Sequence, residues 1–189
     1  MKRMLVLVLM LAACKDEAAQ SVSPVALTAG ALGHYCQMNL LEHPGPKAQV
    51  HLAGLPGAPL FFSQVRDAIA YARLPEQSHP ILAIYVNDMG APGATWESPG
   101  ETNWIAVDRA LFVVGSSREG GMGAPELVPF ADLGAAQAFA AAHGGRVVPL
   151  AGIADADVIA PAAPQPGGAA DDAADYAERL RNLTQKPGG

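Results

Sequence analysis

The stretch Gly57-Ala-Pro-Leu-Phe-Phe-Ser-Gln-Val-Arg-Asp-Ala-Ile-Ala-Tyr71 recurs in outline further along the chain. Its counterpart is Gly123-Ala-Pro-Glu-Leu-Val-Pro-Phe-Ala-Asp-Leu-Gly-Ala-Ala-Gln-Ala-Phe139. Each copy begins Gly-Ala-Pro, passes through an apolar strand-like run and enters an alanine-rich segment. Self-similarity of this kind indicates a repeated structural unit. The alternative is a coincidence in an alanine-rich sequence.

Each copy is predicted to contain one helix flanked by strands. The first helix is expected to begin near Ser63 and the second at Asp132, because both residues are good N-caps. The second helix is expected to end near Gly144. The candidate strands are 35–41, 48–52 and 81–86 around the first helix, and 104–107, 110–114 and 147–150 around the second, with a turn at Asp108-Arg109.

A strand-strand-helix-strand unit that occurs twice predicts an α+β fold, because strands then outnumber helices at least two to one. We place the first unit at 34–89, a Gly/Pro-rich connector at 90–102 and the second unit at 103–160. The tail, 161–189, is rich in Pro, Gly and Ala and is predicted to be disordered.

The first residues read as an export signal. A basic start is followed by a short apolar run, which is too short to span a bilayer, and by small residues before Cys14. This pattern resembles a bacterial lipoprotein processing site, which implies a signal peptide at 1–13, a lipid on Cys14 and a flexible lipidated linker at 14–33. Lys15 stands where aspartate would favour the inner membrane, so transport to the outer membrane is permitted. The alternative is an ordinary signal peptide with an incidental cysteine.

Composition excludes several function classes. The 189 residues carry a formal charge of −6, with 12 basic and 18 acidic residues, and loss of Lys2 and Arg3 with the leader makes the chain more acidic still. Nucleic-acid binding needs a basic surface, so we expect no nucleic-acid partner. The sequence contains no CxxC, HExxH or GxxxxGK[ST] motif and no recognisable nucleophile-base pair, so it gives no support for a zinc site, a nucleotide site or an enzyme.

The segment Tyr35-Cys36-Gln37-Met38 holds two soft sulfur ligands. If it is extended, Cys36 and Met38 point to the same face, as does His34. Thiolate and thioether ligands suit Cu(I) better than any hard cation. With Cys14 assigned to the lipid, Cys36 is the last thiol of the mature chain, and an unpaired cysteine in an exported protein calls for an explanation.

Met122 is the third sulfur candidate, because a methionine between glycines on a loop is poorly placed for core packing. Three sulfurs would give a three-coordinate Cu(I) site, and His34 is a candidate extra ligand or supporting group. Plainer alternatives remain open for each residue. In these alternatives Cys36 is a buried inert thiol and Met38 is a core residue. Met122 is an ordinary loop residue, and His34 is a structural or solvated side chain.

The lipoprotein-like leader, the segment Tyr35-Cys-Gln-Met-Asn-Leu40, the segment Ile84-Tyr-Val-Asn-Asp88 and the loop Gly121-Met-Gly123 resemble the NosL family over about residues 34–150. These are copper-binding lipoproteins accessory to nitrous oxide reductase. The resemblance implies two similar ββαβ units, as in the organomercurial lyase architecture.

The same resemblance implies a periplasmic Cu(I) metallochaperone, not an enzyme, with Cys36, Met38 and Met122 as its metal ligands. Its implied partners are nitrous oxide reductase, whose copper-sulfur centre it would help to supply, and the membrane assembly complex of that reductase. Two rival functions remain. One is a thiol-dependent enzyme acting on organometal or sulfur substrates, and the other is a docking module for a membrane complex in which metal is incidental.

Overall fold

A computed structural model describes residues 20–159 of the chain. The predicted signal peptide, Cys14, Lys15 and the tail from residue 161 lie outside the described residues. Among the residues that are described, none of the helices has the length and apolar character needed to cross a membrane.

The first unit is a sheet with one helix packed on it. Its elements are β1 (Ala48–Leu52), β2 (Leu60–Phe62), α1 (Val65–Arg73) and β3 (Ile81–Asn87), and β4 (Trp104–Ala106) extends the sheet. The strand order is β2-β1-β3-β4, and every neighbouring pair is antiparallel.

The second unit repeats this plan. Its elements are β5 (Leu111–Val114), β6 (Val128–Phe130), α2 (Leu133–His143) and β7 (Arg146–Pro149), and the strand order is β6-β5-β7. In both units the first strand lies between the second and the third, and the helix connects the second to the third. The predicted α+β fold with two ββαβ units is therefore confirmed. A short helix, α3 (Asp155–Val158), follows the second unit.

The two units share one core. Three side chains of the second unit, Phe112, Val114 and Leu127, are buried in the same cluster as the apolar face of α1. The chain after β7 also returns to α1, where Arg66 donates from Nε to the carbonyl of Val158 at 2.8 Å. The repeat thus folds as two copies packed together through this shared apolar cluster.

Residues 35–41 do not form the predicted strand. His34 to Cys36 lie in a turn, Gln37 has a positive φ of 55°, and residues Leu40–Glu42 form a 3₁₀ helix capped by Asn39. Local hydrogen bonds within this segment replace the ladder of a strand. The edge strands of the first sheet are β2 and β4.

Three further predictions are corrected. Segments 104–107 and 110–114 do not pair with each other, because β4 pairs with β3 and β5 pairs with β6. The predicted turn between them is the 3₁₀ helix Val107–Arg109. The N-cap of α1 is Gln64, not Ser63, whereas Asp132 caps α2 as predicted and accepts a hydrogen bond from the N–H of Ala135.

The flexible linker predicted for residues 14–33 is wrong from Gln20 onward. The Gln20 side chain donates to the Leu52 carbonyl at 2.8 Å, and Val25 exchanges two hydrogen bonds with the side chain of Gln49. Leu27 is only 2% exposed. This segment is therefore tied to the sheet of the first unit, which its small-residue composition did not reveal.

Candidate metal site

The Cys36 loop, residues 33–39, is held closed by its own backbone. The N–H of Gly33 donates to the carbonyl of Met38 at 3.0 Å, and the N–H of Gln37 donates to the carbonyl of Gly33 at 2.8 Å. Strand alternation therefore does not place Cys36 and Met38 on one face, but the turn keeps both in a single loop. The Cys36 thiol is free and partly exposed.

Gly33 fits closely under the thiol. A Cβ atom added at this position would lie 2.4 Å from the Cys36 Sγ atom. Since optimal separations between non-bonded heavy atoms are about 3.5–4.0 Å, only glycine leaves room for the sulfur here.

The Met122 loop is defined as residues 119–125 and comes from the second unit. An isolated bridge between Glu119 and Pro125 closes it, and the N–H of Gly123 donates to the carbonyl of Gly120 at 2.9 Å. Gly123 has a φ of 73°, a conformation that side chains with a Cβ rarely adopt. The loop is thus a defined turn that presents Met122 outward.

Both loops contact the dipeptide Ser63-Gln64, at the junction of β2 and α1. The Cys36 Sγ atom lies 3.8 Å from the Ser63 Oγ atom. The N–H of Met122 donates to the Gln64 Oε1 atom at 2.7 Å. The structure therefore brings the cysteine of the first unit and the loop methionine of the second against the same two residues.

The two methionines of the predicted site are at the surface. Met38 is 41% exposed and Met122 is 46% exposed. Neither fills a gap in the core, so the alternative that Met38 is a packing residue is wrong. Solvent-accessible thioethers are open to an incoming metal ion and to the ligands of a partner.

His34 takes a different position. Its imidazole packs against the rings of Tyr35, Phe62 and Tyr71, with centroids 5.3 to 5.6 Å apart. The backbone N–H of His34 donates to the carbonyl of Phe61 at 2.6 Å. These contacts give His34 a structural role, and its role as a ligand stays a prediction.

Sequence reasoning missed a buried cation next to the site. Lys47 is only 1% exposed, and its Nζ atom donates to the carbonyls of Pro44, Gly45 and Ser63 at 2.9, 2.6 and 3.4 Å. Burial lowers the pKa of Lys47 to about 8, against the attraction of Glu126 and Cys36. The ammonium therefore contributes positive charge behind the Cys36 loop.

Sequence reasoning also missed a buried acid. Glu126 is 1% exposed, and its Oε1 atom accepts from the N–H groups of Arg66 and Leu127 at 3.1 and 2.8 Å, while Oε2 has no partner. Burial raises the pKa of Glu126 to about 8, despite these hydrogen bonds. The repeat could have revealed this buried acid, because Glu126 occupies the position at which the first copy has the apolar residue Leu60.

The predicted donor set of this candidate site is sulfur. Within residues 20–159, no three His, Cys, Asp or Glu side chains are grouped so that they could hold a metal ion. The thiol of Cys36 with the thioethers of Met38 and Met122 is a soft set, which fits a soft monovalent ion.

Known proteins match this chain along most of its length. The NosL family model matches residues 24–158. The copper-binding lipoprotein NosL of Achromobacter cycloclastes is 62% identical over 180 residues, which cover 95% of this chain and 92% of the relative. The copper-binding lipoprotein NosL of Stutzerimonas stutzeri is 36% identical over 160 residues, covering 84% of this chain and 80% of the relative.

A solved structure is similar as well. The crystal structure of the copper chaperone NosL from Shewanella denitrificans superimposes with a TM-score of 0.64 at 30% identity, covering 71% of this chain and 97% of that chain. The family match and the solved structure agree with the fold, and the chain belongs to the NosL family.

Proposed function

We propose that this protein binds copper as Cu(I) and acts as a metallochaperone. Its ligands are the Cys36 thiolate and the thioethers of Met38 and Met122. The observation that carries the proposal is the contact of both sulfur-bearing loops with Ser63-Gln64. The relatives named as copper-binding lipoproteins and as a copper chaperone support it.

The ligand chemistry suits transfer. The Cys36 thiolate supplies the negative charge that neutralises Cu(I) and most of the affinity. The thioethers are neutral and soft, so they favour the monovalent ion, and both methionines are exposed enough to be replaced one at a time by the ligands of an acceptor. The protein thus holds copper without performing a reaction of its own and is not an enzyme.

The location and the destination are part of the same proposal. Cys14 carries a lipid that anchors the protein at the periplasmic face of a membrane, as the leader and the lipoprotein names of the relatives support. The outer-membrane preference depends on Lys15 alone. The acceptor is the membrane assembly complex of nitrous oxide reductase, and the copper is destined for the copper-sulfur centre of the reductase. The family resemblance supports this destination.

An anaerobic Cu(I) competition titration tests the ligand set. We expect Cys36→Ser to weaken binding more than Met38→Leu or Met122→Leu, because the serine hydroxyl stays neutral where the thiolate is charged. Met89→Leu is the matched control, since Met89 is half-buried against the core of the second unit. X-ray absorption should count three sulfur neighbours. Equal affinity of the wild type and Cys36→Ser would rule the proposal out.

One observation favours the thiol-enzyme alternative. The Cys36 thiol is free and partly exposed, and reactive cysteines are partly exposed to solvent. The rate of Cys36 alkylation against pH separates the two functions. A thiol that reacts rapidly below neutral pH, in a protein that binds no Cu(I), would favour the enzyme.

A further inference from the structure

The backbone of Met122 is fixed by a side chain of the other unit. The N–H of Met122 donates to the Gln64 Oε1 atom at 2.7 Å, a short hydrogen bond between residues 58 positions apart. Gln64 is only 1% exposed. The accepting end of this bond is therefore buried, whereas the Met122 side chain stays exposed.

The orientation of the Gln64 amide follows from its two partners. Burial raises the pKa of the Asp67 carboxyl, and the charge of Arg66 and the Gln64 amide oppose this rise. A carboxylate accepts and a backbone N–H donates, so the NH₂ group of Gln64 faces Asp67 and its oxygen faces Met122.

The Met122 loop is shaped to lie on Gln64. A Cβ atom at Gly120 would approach the Gln64 Cγ atom to 2.8 Å and the Glu126 Oε2 atom to 2.4 Å. A Cβ atom at Gly121 would lie 2.7 Å from the His43 Cβ atom and 3.1 Å from the Pro44 carbonyl oxygen. The glycines on one side of Met122 thus serve close docking of this loop on the first unit.

We propose that Gln64 is a positioning residue that holds the Met122 thioether at the Cys36 loop before the metal arrives. The inference rests on the proposed function, since it assumes that Met122 is a Cu(I) ligand. Ligands on separate loops must be ordered when they bind a metal, and a loop ordered beforehand avoids that entropic cost. Gln64 contributes to affinity through Met122 and not by touching copper.

Four proteins test this coupling in the Cu(I) competition titration: the wild type, Gln64→Leu, Met122→Leu and the double variant. Gln64→Leu has a similar size but cannot accept the Met122 hydrogen bond. We expect it to weaken Cu(I) binding by about threefold to tenfold, the range that one hydrogen bond contributes. In the Met122→Leu background the same change is expected to have no further effect.

Two further variants keep the result interpretable. Gln49→Leu is the matched control, because Gln49 is equally buried and accepts the N–H of Val25 at 2.8 Å, on another part of the sheet. Its Cu(I) affinity should equal that of the wild type. Gln64→Asn stays polar but is one methylene too short to reach Met122, and it replaces Gln64→Leu if that protein does not fold.

The outcomes separate the inference from the function on which it rests. The positioning role is supported if Gln64→Leu lowers Cu(I) affinity in the wild-type background but not in the Met122→Leu background. An equal loss with and without Met122, or no loss at all, overturns it while leaving copper binding intact. Failure of the proposed function is seen instead in the titrations of the wild type and Cys36→Ser, which do not involve Gln64.

Discussion

Replacing Gly33 by alanine tests whether the Cys36 thiol occupies the position described. The added Cβ atom would lie 2.4 Å from the Cys36 Sγ atom, whereas its other contacts, Leu40 Cδ2 at 3.6 Å and Cys36 Cβ at 3.9 Å, are ordinary. The clash is therefore with a single atom. To reach van der Waals distance, the sulfur or the loop must move by about 1 Å.

The expected cost follows from this geometry. Forcing an extra methyl group into a packed site costs about 1–3 kcal/mol. For a folded body of this size, about 1 kcal/mol shifts the melting temperature by about 3 °C, so Gly33→Ala should melt about 3–9 °C lower. The proposed function predicts that Cu(I) affinity falls as well, because the clash displaces the thiol from its contact with Ser63.

A double-mutant cycle with Cys36→Ala isolates the clash. Without the sulfur atom, Gly33→Ala has no close contact and should cost almost nothing in melting temperature. Gly30→Ala is the matched control, since a Cβ atom there has no neighbour within 4 Å and the residue lies just outside the same loop. Thermal unfolding of these five proteins, followed by circular dichroism, gives the coupling energy.

One result would refute this reasoning. If Gly33→Ala lowers the melting temperature equally with and without the Cys36 sulfur, the thiol does not lie over Gly33, and the described loop geometry is wrong.

Two further predictions concern stability. Burial raises the pKa of Glu126 from 4.5 to about 8, so the folded chain keeps a proton that the unfolded chain has released, and wild-type stability falls as pH rises from about 4.5 to about 8. Glu126→Gln should therefore gain stability relative to the wild type across that window, as measured by urea unfolding at pH 5 and pH 8.5; parallel pH profiles of the two proteins would contradict it. Asp132→Ala removes the hydrogen bond to the N–H of Ala135 at the start of α2 and should cost about 1 kcal/mol, and an unchanged melting temperature would show that this cap contributes nothing.

The repeat could be predicted from the sequence because the residues that start and end a helix are close to it in the chain. Asp132 and Gly144 marked the two ends of α2, and the Gly-Ala-Pro starts aligned the two copies. Hydrophobic runs also marked β1, β3 and β7 within a residue or two. These features depend on residues that are close in sequence, so one sequence is enough to find them.

The pairing of strands could not be predicted in the same way. Segment 104–107 is apolar and was predicted to be a strand of the second unit. In the structure it forms β4, which pairs with β3 in the first sheet. The 35–41 segment has strand-like composition, but hydrogen bonds from Gly33 and Gln37 fold it into a turn. A strand is stabilised by whichever edge it meets, and that edge is set by the rest of the molecule.

The sequence by itself determined the duplicated ββαβ plan, and it predicts Cys36, Met38 and Met122 as a soft donor set, because periodicity and ligand type are properties of the residues. Only the tertiary structure decided how the set is held. Packing of the second unit on the first brings Met122 to Gln64 and buries Lys47 and Glu126 beneath the two loops. Contacts between residues far apart in the chain depend on the shape of the whole fold, and no local pattern specifies them.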